Sequence, residues 1–163
     1  MFGKLKNLFS SSGIAVAAPV SGTVVPLSEV PDPTFAQGIL GPGAAVQPSE
    51  GRIVAPANGT VDMMFDTGHA VSMTTTEGAE LLIHVGIDTV SLKGQHYTAK
   101  CKSGDTVRKG DTLIEFDIDA IREAGYEVVT PVIVCNPDAF ASVKTEGAGS
   151  VQAGDDLLTL EKK

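Results

Sequence analysis

Apolar and polar residues alternate along this chain in short runs, each cut off by glycine or proline, and no long segment holds a helical period. β-Branched residues crowd those runs. The pattern predicts a mostly β protein, an antiparallel β-sandwich or barrel, with only short helical turns. Two stretches qualify as helical: residues 31–36, and residues 117–124, where Ile118 and Ile121 are the apolar positions and Gly125 is a stop. The closing strands are predicted at 130–135, a buried run entered by a proline, and at 157–160 ahead of the charged Glu161-Lys162-Lys163 end.

The runs also repeat. Ala18-Pro19-Val20-Ser21-Gly22-Thr23-Val24 returns as Ala55-Pro56-Ala57-Asn58-Gly59-Thr60-Val61, a proline-led turn feeding a β-branched strand in each case. Residues 103–114 return at 149–158, a polar glycine turn joining two short strands. Two copies are too few to stack as a solenoid, so the sandwich is expected to consist of two related halves sharing one core. Residues 14–163 are read as that single domain. Residues 1–13 stand apart as an N-terminal tail, where Phe2, Leu5, Leu8 and Phe9 fall within an arc of about 120° on a helix, with Lys4, Lys6 and Asn7 outside it. So short an amphipathic helix is marginal in water, and contact with a membrane surface is one way to order it.

Composition narrows the function. With 42% hydrophobic and 20% charged residues the chain is an ordinary globule, and its net charge of −8 lacks the clustered Lys and Arg that nucleic acid requires. A basic protein partner suits it better. Cys101 and Cys135 are far apart with no CxxC spacing, which reads as two reduced thiols of a cytoplasmic protein. Ser10-Ser11-Ser12-Gly13 interrupts any signal-peptide core, and no run approaches the ~20 apolar residues of a membrane span. The location expected is the cytoplasm, with the inner membrane face as a peripheral station.

The most telling stretch is Leu81-Leu82-Ile83-His84-Val85-Gly86-Ile87-Asp88-Thr89-Val90, a histidine inside a nearly continuous apolar run. A side chain that titrates near neutrality is awkward to bury without a partner or a task. His69, in Thr67-Gly68-His69-Ala70-Val71-Ser72-Met73, has a similar setting. If both segments are strands, Leu82 and His84 share a face, continued extension carries Asp88 to it, and His69 alternates with Val71 and Met73. The turn at 74–80 then makes an antiparallel pair, with His69 opposite or diagonal to His84. Such a pair fits a metal site, acid–base catalysis or a histidine nucleophile, and hydrogen-bonded core histidines fit as well. His96 lies in a polar turn, and no cysteine or third histidine completes a structural zinc set.

The run His84-Val85-Gly86-Ile87-Asp88-Thr89-Val90-Ser91-Leu92-Lys93-Gly94 closely resembles the active-site signature of the glucose-type enzyme IIA component of the bacterial phosphoenolpyruvate-dependent sugar phosphotransferase system. The resemblance covers roughly residues 14–163 and takes in residues 31–36, 55–60, 67–70, 110–117 and Thr130-Pro131-Val132. It implies a phosphoryl carrier in which His84 accepts the group from the histidine-containing phosphocarrier protein and passes it to a cysteine of a glucose-type IIB domain. It further implies that His69 stabilises the phosphoryl group, that Thr67 orients His69, and that no cofactor is required. Phe35, Val46, Phe65, Val71, Leu82, Val85 and Val90 match or lie near an apolar docking rim in that family, and Asp88 matches a carboxylate suited to an arginine of the partner.

Gly68 and Val85 depart from the enteric members, which puts contacts to regulatory targets of those members in question. With no IIB or IIC sequence in the chain, a separate soluble component is expected. Two other classes compete. A lipoyl or biotinyl carrier shares the duplicated halves but needs a modifiable lysine at a hairpin tip, a context that Lys93, Lys100, Lys102 and Lys109 lack. A zinc endopeptidase of the related lysostaphin-like fold would use His69, His84 and Asp88 as ligands but needs a His-x-His pair. Zinc held at His69 and His84, adventitiously or shared with a partner, belongs to the same set of expectations.

Overall fold

Proline-led turns start the strands, and the same turn occurs twice. The computed structural model describes residues 13–163, so residues 1–12 of the tail lie outside the described residues, and Gly13 belongs to the first strand rather than to the tail. Strands β1 (Gly13–Ala17), β2 (Gly22–Pro26) and β3 (Gly43–Pro48) open the first half. Strands β4 (Arg52–Val54), β5 (Gly59–Met64), β6 (Ala70–Thr75) and β7 (Glu80–His84) follow, then β8 (Tyr97–Ala99), β9 (Thr106–Val107) and β10 (Thr112–Phe116). The chain closes with β11 (Thr130–Val134), β12 (Phe140–Thr145), β13 (Ser150–Val151) and β14 (Asp156–Lys162). Every strand pairing is antiparallel. The expected mostly β architecture of two related halves is what forms.

The halves are related by a pseudo-twofold axis between β11 and β7. The large sheet runs β13-β2-β3-β11-β7-β6-β5-β9, and the flanking sheets, β1-β14-β12 and β4-β10-β8, correspond to each other. Register makes the equivalence residue-specific. Gly22 pairs with Pro48 as Gly59 pairs with Thr75, and Val46 pairs with Thr130 as Met73 pairs with Leu81. Ile133 is therefore the counterpart of His84. The turns are tied reciprocally: Ala17 N–H donates to the Pro56 carbonyl at 3.1 Å, and Val54 N–H to the Pro19 carbonyl at 2.8 Å.

Helical turns are short, as the pattern requires. Helix α1 (Pro33–Ala36) is capped by Asp32, whose carboxylate accepts from Thr34 N–H at 2.9 Å, with proline in the first turn. Helix α2 (Ile118–Glu123) is capped by Asp117 accepting from Ala120 N–H at 3.0 Å. Three-residue or four-residue 3₁₀ turns at Leu27–Glu29, Thr89–Leu92 and Pro137–Ala139 were not evident in the hydrophobic pattern.

Alternation divides the central strands between two apolar layers. Ala44 and Val46 of β3, Val71 and Met73 of β6, Leu81 and Ile83 of β7, and Val132 and Val134 of β11 enter the main core. Ala45, Ile133 and Leu82 turn to the other face. There they meet Val30, Phe35, Ile87 and Val129. The long β2–β3 connection supplies Val30 and Phe35; the corresponding β5–β6 connection is only residues 65–69. The duplicated sheet is thus covered unevenly, and His84 sits at the border of that cover.

Candidate functional site

Strand β7 delivers one histidine and the turn before β6 delivers the other. With Leu81 and Ile83 in the core, Leu82 and His84 face outward. The strand stops beyond His84 because Gly86, at φ +92, turns the chain back. A Cβ at Gly86 would lie 2.5 Å from Thr89 Cγ2 and 2.8 Å from the Glu127 carbonyl oxygen, so only glycine fits. The turn brings the Gly86 carbonyl to the ring, and His84 Nδ1–H donates to it across 2.7 Å. Nε2 is then the nitrogen that keeps a lone pair.

The cross-strand neighbour of His84 is Ala70, not His69. Strict alternation back from Met73 and Val71 would have sent His69 to the core. Instead the chain bends over residues 66–69, with Gly68 at φ +70, and the imidazole of His69 reaches the ring of His84. The two rings meet edge to face, with centroids 4.9 Å apart and planes at 80°. Thr67 Oγ1 is hydrogen-bonded to His69 Nδ1. With the Thr67 hydroxyl as donor to Nδ1, the proton of His69 is on Nε2; with Thr67 as acceptor, it is on Nδ1.

Aromatic rings back both histidines. Phe35 lies 5.1 Å from His84 and Phe65 lies 5.5 Å from His69, centroid to centroid. His69 is 4% exposed. Burial, and secondarily the charge of a protonated His84, push the His69 ring down to about 4. Burial also lowers His84 from its ordinary value, opposed by the Gly86 hydrogen bond and the carboxylates of Asp32 and Asp88. Near neutrality both imidazoles are uncharged.

The remaining expected site residues scatter. Phe35 and Leu82 belong to the outer apolar layer, Phe65 is half-buried against His69, and Val90 is 53% exposed. Val46, Val71 and Val85 do not line a rim: all three are 0% exposed and pack in the main core, because alternation turns them away from His84. Asp88 is not carried onward by an extended strand. It is exposed with a left-handed backbone, φ 59, and precedes the 3₁₀ turn Thr89–Leu92.

Several contributors were missed. Gly86 acts through its carbonyl and carries no side chain to notice; a glycine ending an apolar run was the available signal. Asp32, the cap of α1, adds a carboxylate to the field at His84, a role that its place in a short helical turn does not signal. Exposed Ile39, at 67%, and Leu40 follow α1, whose Phe35 meets His84, and with Val90 they offer apolar surface close in sequence to site elements. Tyr97 Oη donates to the Val85 carbonyl at 2.7 Å.

Two imidazole nitrogens are the metal-binding capacity of the pair. Among the described residues no group of three or more His, Cys, Asp or Glu is disposed to hold a metal, so the endopeptidase reading lacks its ligand set. Cys101 and Cys135 are unpaired, and burial pushes both thiols up, Cys101 to about 11. Surface hollows of about 410 and 160 Å³ lie elsewhere, at Ser21, Ser49 and Glu50 and at their counterparts Asn58, Thr76 and Glu77, as products of the duplication.

Two uncharged imidazoles in edge-to-face contact, set among apolar groups on a β scaffold, are an arrangement suited to group transfer. Residues 14–140 match the family described as phosphoenolpyruvate-dependent sugar phosphotransferase system, EIIA 1. The chain belongs to that family and is a phosphoryl carrier of sugar uptake. It is 43% identical over 158 residues to the glucose-specific EIIA component of Oceanobacillus iheyensis, covering 94% of this chain and 96% of that protein. It is also 46% identical over 145 residues to the beta-glucoside-specific EIIBCA component of Bacillus subtilis, covering 89% of this chain and 24% of that protein. It thus spans about a quarter of such EIIBCA relatives. Glucose permease IIA from Mycoplasma capricolum has the same fold, with a TM-score of 0.82, 32% identity and coverage of 90% of this chain and 95% of that one. Among the described residues no helix is long and apolar enough to cross a membrane.

Proposed function

We propose that His84 Nε2 takes a phosphoryl group from the phosphohistidine of the histidine-containing phosphocarrier protein and gives it to a cysteine of a glucose-type IIB domain. The observation that carries this reading is the complementary pair of ring nitrogens. His84 Nδ1–H is committed to Gly86, leaving its Nε2 free, and Thr67 occupies Nδ1 of His69, leaving its Nε2 free; in this reading Thr67 donates and His69 carries its proton on Nε2.

In the first step the bond from phosphorus to the donor nitrogen breaks as the bond to His84 Nε2 forms, and the donor imidazole leaves neutral. His84 keeps its Nδ1 proton, so its ring becomes cationic and the bond to the Gly86 carbonyl strengthens as charge develops. His69 Nε2–H faces the phosphoryl oxygens, and Thr67 keeps it aimed. In the second step a thiolate attacks phosphorus and the neutral His84 ring departs. The apolar surround, Phe35 and Phe65 included, excludes water from the phosphoramidate between the two encounters.

Docking surface is supplied in this reading by Phe35, Phe65, Leu82 and Val90, with Asp88 offered to an arginine of the partner. The exchange needs no cofactor; zinc shared with a partner would compete for the same two nitrogens. The EIIBCA name of several relatives supports a IIB domain as the acceptor. The tail of Phe2, Leu5, Leu8 and Phe9 is assigned a peripheral membrane contact from a cytoplasmic protein.

The test is incubation with phosphoenolpyruvate, enzyme I and the phosphocarrier protein, followed by mass measurement. Wild type gains one phosphoryl mass and His84→Gln gains none. His69→Gln is still labelled but passes the group on slower by on the order of 10²–10³, the usual cost of losing one charge-stabilising donor. Labelled His84→Gln beside unlabelled His69→Gln would reverse the assignment.

A further inference from the structure

One side chain outside the histidine pair touches the backbone behind both of them. Tyr97 opens β8, and its Cβ stands so near Gly68 that a Cβ there would be 3.3 Å away. That places it against the turn between Thr67 and His69. Its hydroxyl reaches the Val85 carbonyl at 2.7 Å, the first carbonyl after His84. Thr89 Oγ1 donates to the same oxygen at 2.8 Å, and Val85 N–H donates to the His69 carbonyl at 2.7 Å. The Val85 backbone is therefore held on one side by His69 and on the other by two hydroxyls.

The next carbonyl in the chain, that of Gly86, fixes the tautomer of His84. Gly86 has a left-handed backbone that glycine adopts without strain, so the aim of its carbonyl is set by what its flanking peptide groups bond to. Gly86 N–H contributes a 3.2 Å bond to the Val129 carbonyl, and Ile87 N–H, in the peptide that carries the Gly86 carbonyl, a 3.0 Å bond to the Glu127 carbonyl. The two hydroxyls on Val85 are shorter. Tyr97 is also anchored as a body, stacked on Phe116 with centroids 6.3 Å apart and planes 24° from parallel. Burial raises its phenol to about 12, so the hydroxyl is a permanent donor at physiological pH.

We propose that Tyr97 and Thr89 are positioning residues for phosphoryl transfer: their paired hydroxyls clamp the Val85 carbonyl, hold the Gly86 carbonyl on His84 Nδ1–H, and keep the His84 Nε2 lone pair presented beside His69. Neither touches the phosphoryl group. The proposal rests on His84 being the acceptor, but its tautomer consequence belongs to the unphosphorylated protein and is read without any transfer.

The test uses full-length protein with Tyr97→Phe, Thr89→Val and the double variant. Tyr97→Phe keeps the ring and its stacking and removes only the O–H. Ring ¹⁵N chemical shifts of His84 report the tautomer, and quench-flow labelling by the phosphocarrier protein reports the rate. Tyr97→Phe is expected to lower the Nδ1–H fraction of His84 and to slow labelling 3-fold to 10-fold. The double variant should lose more than the product of the single losses, because it alone leaves the shared oxygen without a hydroxyl. A folded Tyr97→Phe or Thr89→Val protein with wild-type His84 shifts and wild-type labelling overturns the clamp. If Tyr97→Phe does not fold, Thr89→Val decides by the same two readings. Altered shifts with no labelling of wild type at His84 would leave the clamp standing and remove the transfer reading instead.

Discussion

Acidification should weaken this fold through His69, and the size of the effect follows from its burial. The ring is held at about 4, against 6.5 in the unfolded chain, because burial disfavours its charge. Above 6.5 the ring is neutral in both states and costs nothing. As pH falls below 6.5 the unfolded chain takes up a proton that the folded ring resists, so stability declines until the folded ring titrates near 4. Across that whole window the loss is ~3 kcal/mol, at 1.36 kcal/mol for each tenfold difference in proton affinity. Between pH 7 and pH 5 it is about 2 kcal/mol, a large share of a typical domain's stability. His84, also lowered by burial, acts in the same direction. Urea denaturation at both pH values, on wild type and on His69→Gln, isolates the effect, since the acidic side chains are common to both proteins. His69→Gln should lose markedly less stability than wild type on going from pH 7 to pH 5. Equal losses would refute the claim that the folded site excludes the charged imidazole.

Gly86→Ala should cost on the order of 2–5 kcal/mol, from ~1–2 for a left-handed backbone and ~1–3 for the clash with Thr89 and the Glu127 carbonyl, measured by urea denaturation; it should also slow labelling of His84. Replacing Cys101 and Cys135 together by serine should leave labelling unchanged, with the label acid-labile and base-stable as a phosphoramidate is; a lost label would point to a thiol. Removing residues 1–13 should leave phosphoryl acceptance intact and reduce binding to anionic vesicles, with Lys4 and Lys6 supplying about 1 kcal/mol each beside the apolar stripe. Equal vesicle binding by both forms would remove the membrane role.

What could be read without coordinates was whatever short-range chemistry records. The repeated turns at Pro19 and Pro56 were visible because proline and glycine mark them locally, and register pairs the strands they feed, Gly22 with Pro48 and Gly59 with Thr75. His84 was conspicuous because an apolar run surrounds it. The neighbouring histidine was harder. Alternation alone assigns His69 to the core with Val71, and only the bend at Gly68 returns it to the face of His84.

The same limit explains the valines. Facing is a property of the paired strand, so Val46, Val71 and Val85 went to the interior while Ile39 and Leu40, in an irregular connection with no period, remained on the surface. Contributions made through backbone carbonyls, at Val85 and Gly86, leave no trace in side-chain identity. Tyr97 follows the polar turn that holds His96, and its reach of twelve positions back to the Val85 carbonyl is a product of the fold.

The measurement that bears most directly on the account is the position of the phosphoryl group on the ring. Protein labelled with ¹⁵N-histidine and phosphorylated through the phosphocarrier protein should show phosphorus coupled to Nε2 of His84, with Nδ1 still bearing a proton held by the Gly86 carbonyl. Phosphorus on His84 Nδ1, or on either nitrogen of His69, would contradict it.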